Sequence, residues 1–214
     1  MKKKRNKILF FIFFFSFNCF SQENDFQTWF SFSCNKKVFK KTTLHFKNSL
    51  RLRENSSIYS KQFNDLKIKR KYNKRIAYAL GYRFINRKDG ELNFSNQNRF
   101  YSDLSYRKKI IKRLSFSLRN RLQLQGYLNS YSNTFRQKFA LSYNIRKTKL
   151  TPNIATEYFI DSDVILNKLR STVSLEYPLA KDFNFELAYR LQQEFNVNNP
   201  NTLFILETKV SYDF

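Results

Sequence analysis

Leu203-Phe204-Ile205-Leu206-Glu207-Thr208-Lys209-Val210-Ser211-Tyr212-Asp213-Phe214 decides the fold. Phe204, Leu206, Thr208, Val210, Tyr212 and Phe214 fall on one face. From the middle onward Glu207, Lys209, Ser211 and Asp213 fall on the other. Side chains alternate across a strand, so this is a two-faced β-strand of period two. It stops at a terminal aromatic on the apolar face. Such a strand is the expected last stave of an outer-membrane β-barrel, with Phe214 as the signal for the barrel-assembly machinery.

The opposite end of the chain agrees. Lys2, Lys3, Lys4, Arg5 and Lys7 precede an almost wholly apolar run, Ile8 to Phe17, too short to span a bilayer. Cys19 and Ser21 then supply small residues at the −3 and −1 positions of a cleavage site. Residues 1–21 are expected to be a cleaved export signal and 22–214 one barrel domain, in the outer membrane of a Gram-negative cell. Phe17 and Asn18 fit poorly before a lipidated Cys19. Cleavage leaves Cys34 as a lone thiol, so no internal disulfide holds the mature fold.

Composition points the same way. The chain carries 25 Phe and 13 Tyr, with only 3 Gly and 3 Pro. Mean hydropathy is nevertheless −0.60. Many aromatics with low hydropathy is what alternation produces, because each apolar residue has polar neighbours, as in the lipid-facing and lumen-facing rows of a transmembrane barrel. The 40 Lys+Arg against 16 Asp+Glu give a net charge of +24, or +19 once residues 1–21 are removed. In a soluble protein that excess suggests nucleic acid. An exported chain has no such partner, and anionic lipid headgroups take its place. A Lys, Asn, Phe and Ile-rich composition also follows from an AT-rich genome.

Alternation recurs along the chain in eleven windows: Phe26–Asn35, Phe39–Leu52, Ser60–Lys71, Ile76–Ile85, Asn93–Arg107, Leu114–Gln125, Asn133–Ile145, Thr151–Ile160, Leu166–Tyr177, Phe183–Glu194 and Leu203–Phe214. Most reach the length of about 10 residues that a tilted strand needs to cross a bilayer. Connections alternate between short basic turns, assigned to the periplasm, and longer polar loops such as 86–92 and 126–132, assigned to the outside. The fold class is all-β, a single antiparallel transmembrane barrel of about ten to twelve strands. Bacterial barrels normally have an even number of strands. Ten staves, with Phe26–Asn35 tucked in or pairing irregularly, is the count that parity favours.

A hairpin-sized repeat lies inside this pattern. Tyr72, Tyr106, Tyr143, Tyr177 and Tyr212 close successive descending strands at spacings of 34, 37, 34 and 35 residues. They are expected to form the periplasmic aromatic girdle. Arg99, Arg136 and Arg170 each lie seven residues before a girdle tyrosine, an odd offset that turns them into the lumen. At about 3.3 Å per residue and a tilt of about 40°, they stand roughly 18 Å above the girdle. Arg51, Arg83, Arg119, Arg121 and Arg190 on ascending strands face inward at similar height. Inward acids are Asp103, Glu157, Glu176, Glu186, Glu194 and Glu207.

Several short pieces resemble an uncharacterised outer-membrane β-barrel family of Bacteroidetes-type bacteria, known as a domain of unknown function. They are Phe26-Gln27-Thr28-Trp29, Gly81-Tyr82-Arg83-Phe84, Arg99-Phe100-Tyr101, Lys168-Leu169-Arg170, Tyr189-Arg190, Glu194-Phe195-Asn196 and the terminal strand. The resemblance spreads over most of the mature chain. It implies outer-membrane residence, assigns no activity and supplies no catalytic residue.

The chemistry is sparse. The chain has no HExxH, no CxxC, no paired-histidine metal spacing and no glycine-rich phosphate loop, so no metal or cofactor is expected. Two readings of the inward arginines stay open. Arg51, Arg83, Arg99, Arg119, Arg136, Arg170 and Arg190 either line a porin-like constriction that favours small anions, or fill the lumen as an ion-pair lattice with the inward acids. The lattice is the plainer reading, but inward arginines outnumber the acids at that level. An alternative is an outer-leaflet lipid hydrolase built on His45, the only histidine, and Ser49. A soluble ligand-binding barrel is opposed by the extent of its outward Phe and Leu surface.

Overall fold

The computed structural model describes residues 23–89, 93–127 and 130–214. The expected export signal, 1–21, lies outside them. The described residues form eleven strands: β1 (Glu23–Phe39), β2 (Thr42–Arg53), β3 (Ile58–Lys71), β4 (Ile76–Asp89), β5 (Asn93–Lys109), β6 (Leu114–Tyr127), β7 (Ser130–Tyr143), β8 (Thr151–Asp161), β9 (Leu166–Pro178), β10 (Phe183–Glu194) and β11 (Asn201–Asp213). Each pairs with its sequence neighbours, and β1 closes the ring on β11.

The count corrects the favoured ten staves. The first window is a full stave of 17 residues. It alternates Phe26, Phe30 and Phe32 outward with Trp29, Ser31 and Ser33 inward. An odd ring cannot be antiparallel throughout, and the mismatch falls between β1 and β11, which pair in parallel from Glu23↔Asn201 to Asn35↔Asp213. Every other neighbouring pair is antiparallel. An open edge would leave a row of unpaired backbone N–H and C=O groups. A slightly weaker parallel ladder therefore costs less than two open edges.

The connections also differ from expectation. On the rim that carries Phe214 the turns span 40–41, 72–75, 110–113, 144–150 and 179–182; on the distal rim the described ones span 54–57, 162–165 and 195–200. Among the described residues the longest connection, 144–150, is on the Phe214 rim. Strands run into segments that read as loops, because polar residues such as Asn86, Asn96 and Ser132 continue the ladder as readily as apolar ones. Turn 54–57 has three consecutive residues at positive φ, Glu54, Asn55 and Ser56. It is tied to β1 by the Asn55 amide donating to Asp25 (3.1 Å) and by the Thr28–Ser56 hydroxyl pair (2.5 Å).

Val164, in turn 162–165, sits at φ 61° and is 83% exposed. A β-branched residue in this left-handed region is strained. Val164→Gly is expected to stabilise the barrel by about 1 kcal/mol, read as a higher urea midpoint for unfolding from detergent micelles. An unchanged or lower midpoint would show that Val164 carries no such strain.

Walking the register round the ring from Asn24 through Thr202, Leu169, Gln137, Leu104 and Arg70 returns to β1 at Phe39. Discounting the bulge between Lys37 and Phe39, that is a stagger of about 14 residues, which with eleven strands gives a tilt of about 40° and a radius of about 11 Å. The distribution of residues is inverted relative to a water-soluble domain. Phe32, Leu80, Leu122, Ile154, Val173 and Leu187 are exposed on the outside, while Asp65, Asp103, Arg121, Arg136, Glu157 and Glu207 are buried within. Amides on the outer face pair with one another, Asn48 with Asn64 (2.8 Å) and Gln137 with Asn120 (3.0 Å).

Candidate functional site: an arginine belt in the lumen

Alternation aims one residue in two into the barrel, and the stagger then sets its height. With the tilt applied, Arg51, Arg83, Arg99, Arg136, Arg170 and Arg190 fall within about 5 Å of one height, a belt across the lumen; Arg119 stands roughly 10 Å nearer the Phe214 rim. All seven expected arginines line one internal cavity of about 1360 Å³.

Four carboxylates on the Phe214 side hold four of its six arginines and two more, Arg119 and Arg121, below it. Arg121 donates to both oxygens of Asp103 (2.6 and 2.8 Å), the fork geometry that guanidinium and carboxylate share. Arg83 Nε meets Asp65 at 2.7 Å. Glu157 collects three arginines: Arg119 at 2.7 Å, Arg136 at 2.7 Å and Arg170 at 3.6 Å. Glu207 takes Arg190 (2.5 Å), Lys47 (3.1 Å) and the Ser31 hydroxyl (2.9 Å). Of the expected inward acids, Glu194 pairs with Lys168 (2.7 Å) and Glu186 with Lys209 (3.1 Å). Glu176 is exposed and takes no place in the cavity wall. Asp65 was absent from the sequence-derived set, although its parity with Lys61 and Lys67 places it on the inward face of β3.

Inward aromatics are the second element the sequence did not announce. Trp29, Phe63, Tyr101 and Phe159 are buried on the inner wall. Their faces are covered by guanidiniums: Arg51 over Trp29 at 3.5 Å, Arg83 over Phe63 at 3.9 Å, Arg121 over Tyr101 at 3.7 Å and Arg136 over Phe159 at 4.3 Å. A ring face attracts a cation and holds a planar guanidinium parallel to it. Each stacked arginine is thereby fixed in orientation as well as charge. Tyr101 reaches from β5 across β4 to donate to Asp65 on β3 (2.7 Å). Its ring passes over Gly81, where a Cβ would lie 2.1 Å from the phenol carbon.

Not every cation is compensated. Among the described residues, sixteen Lys and Arg line the cavity against seven Asp and Glu. The Arg99 guanidinium is held by Gln125 alone, through Nε (2.8 Å) and Nη2. Among the described residues Arg51 and Lys61 have no carboxylate partner, and the Arg51 Nε is buried without a hydrogen bond. The cavity lining runs along β1 from Asn24 to Asn35. At about 3.3 Å per residue and about 40° of tilt this is roughly 28 Å of axis.

The remaining sequence-derived residues are placed as follows. Tyr106, Tyr143, Tyr177 and Tyr212 lie on the outer face near the Phe214 rim, and Tyr72 stands in turn 72–75 just beyond β3. Phe214 donates its amide to the Asn35 carbonyl (2.7 Å) and sets its ring edge-on to Tyr212, with centroids 4.4 Å apart. His45 and Ser49 do not meet. They are four residues apart on one face of β2, about 13 Å along the strand. His45 Nδ1 contacts the Asn35 carboxamide oxygen (2.5 Å), whereas Ser49 is fully buried and accepts from Ser31 (3.0 Å). A base must lie within hydrogen-bond reach of its nucleophile, so the hydrolase site is not assembled. No cluster of metal-ligating side chains occurs among the described residues.

Comparison with known proteins fits this geometry. A family model described as "Protein of unknown function (DUF2490)" matches residues 26–203. No curated protein matches the sequence. Two solved structures share the fold. One, described as "KdgM porin", has a TM-score of 0.50 at 14% identity, over 78% of this chain and 90% of that one. The other, a "NanC porin structure", has a TM-score of 0.55 at 14% identity, over 84% and 93%.

Proposed function

This chain belongs to the DUF2490 family of proteins of unknown function, and from that membership and the lumen geometry we propose that it is a narrow, anion-favouring channel of the bacterial outer membrane. The carrying observation is the cavity, lined by more than twice as many basic as acidic side chains. Guanidiniums in a confined lumen attract small oxyanions and repel cations. Phosphate, sulfate and carboxylate solutes are the candidates. The lattice and the channel coexist: four carboxylates lock part of the belt, and the uncompensated remainder sets the field.

Outer-membrane residence is supported by the apolar outer wall, which in water is a large exposed patch. The two solved porins share the fold. On this reading residues 1–21 are a cleaved export signal. The Phe214 rim is periplasmic, its tyrosines rest at the headgroup level, and β11 with Phe214 is read by the barrel-assembly machinery.

Single-channel recording of the refolded mature protein in a planar bilayer tests the channel. Under a potassium chloride gradient the reversal potential is expected to favour chloride several-fold over potassium. Arg99→Gln is expected to lower that preference, because Arg99 leaves no carboxylate behind when removed. Arg136 and Arg170 are poorer probes, since their loss also frees Glu157. A protein that inserts as a heat-modifiable barrel yet stays silent, or conducts potassium preferentially, would overturn the proposal.

A further inference from the structure

The belt's charges are not mixed evenly along the axis. Asp65, Asp103, Glu157 and Glu207 all pair with cations from the Phe214 side. On the distal side, Arg51 on β2, Lys61 on β3 and Arg99 on β5 line the cavity, and none of the three forms an ion pair among the described residues. Arg51 and Lys61 face each other in register on β2 and β3. Three described acids at this level are engaged on other partners. Glu194 holds Lys168 (2.7 Å), Glu54 holds Arg53 (3.4 Å), and Asp25 accepts from Gln27 (2.7 Å) and the Asn55 amide (3.1 Å).

Arg51 is also pre-set in position. Its guanidinium lies 3.5 Å from the Trp29 ring and 5.0 Å from that of Phe63, and its buried Nε donates to nothing. Arg99 is held by Gln125 through two of its nitrogens. Both donors are thus fixed before any ligand arrives, and Lys61, in register with Arg51, lines the same cavity wall. Confined cations that repel one another and lack counter-charges are the electrostatic complement of a multiply charged anion.

We propose that Arg51, Lys61 and Arg99 form a discrete binding site for a dianionic oxyanion of phosphate size, on the distal side of the belt. The covered aromatic faces argue against stacking of a ring-shaped ligand here, since Arg51 occupies the face of Trp29. Recognition therefore runs through N–H donors and charge. The proposal rests on the anion-favouring lumen but is tested by binding, not by current.

Trp29 is the only tryptophan in the chain, so its fluorescence reports on Arg51 directly. The refolded mature protein in detergent micelles would be titrated with sodium phosphate at pH 7.5, against sodium chloride at matched ionic strength. A saturable change in Trp29 emission with phosphate, and none with chloride, is expected. In Lys61→Gln the half-saturating concentration should rise at least tenfold, and in Lys69→Gln, outside the cavity wall, it should not move. Should Lys61→Gln fail to fold, Arg99→Gln makes the same test. Glycerol phosphate separates two carriers of the group: tighter binding than phosphate marks an organic phosphate, weaker binding the free ion, and either supports the site. Phosphate and chloride curves that superimpose, or a Lys61→Gln curve that superimposes on the parent, would overturn it. Anion-selective current without phosphate binding removes this site and leaves the channel standing; binding without current does the reverse.

Discussion

Glu157→Gln is expected to cost the barrel about 3–5 kcal/mol. Glu157 is 4% exposed and is shared by Arg119, Arg136 and Arg170, which arrive from three other strands. Removing its charge leaves three guanidiniums facing one another with no counter-ion. Breaking a buried charge cluster from one side is costly for that reason, even where the intact cluster contributes little net stability. Urea unfolding from micelles, followed by the gel shift between folded and unfolded bands, measures it. A second substitution, Arg136→Gln, should recover part of the loss, because it removes one of the stranded charges. In a double-mutant cycle the two changes are therefore expected to be less harmful together than their sum. If Glu157→Gln unfolds at the same urea concentration as the parent, lumen water already screens the cluster and the lattice has no structural role.

The second large effect concerns a residue with no side chain. Gly81→Val places methyl groups where the Tyr101 ring crosses β4. Backbone at the contact cannot move without shifting two ladders, so the ring must leave. Tyr101 then loses its bond to Asp65, and Arg121 loses the face on which it lies 3.7 Å away. Overpacking together with one lost hydrogen bond to a charged group makes about 3–5 kcal/mol. The discriminating variant is the double change Gly81→Val with Tyr101→Ala, which removes the obstacle as well as the intruder. It should be no less stable than Tyr101→Ala alone. A double variant that falls well below Tyr101→Ala would mean that Gly81 is needed for backbone reasons, not for passage of the ring.

These two residues also show where sequence reasoning stops. Period-two alternation made the inward direction of Glu157 legible, and the odd offset from each girdle tyrosine did the same for Arg136 and Arg170. Neither observation says that the three meet. Glu157 reaches Arg119 38 residues away and Arg136 21 residues away, and only the register carries them to one height. Gly81 stood in a short resembling segment with no stated reason for being glycine. Trp29 was visible as a residue and invisible as the platform under Arg51, because its strand was not counted as a stave. His45 and Ser49 share a face, and that was all the sequence could give them; the rise along β2 then separates them.

What the sequence determined by itself is the local part: two-faced strands, their approximate number and length, the apolar outside and basic inside, and the terminal aromatic. Each follows from the backbone's period of two, which acts between neighbours in the chain. Tertiary structure alone decided the odd strand count, the parallel seam of β1 with β11, the stacking of guanidiniums on inward rings, and which cations find an acid. Those depend on closure and stagger. A shift of one residue in any ladder turns a whole row from lumen to lipid, and a shift of two moves every arginine on that strand about 5 Å along the axis.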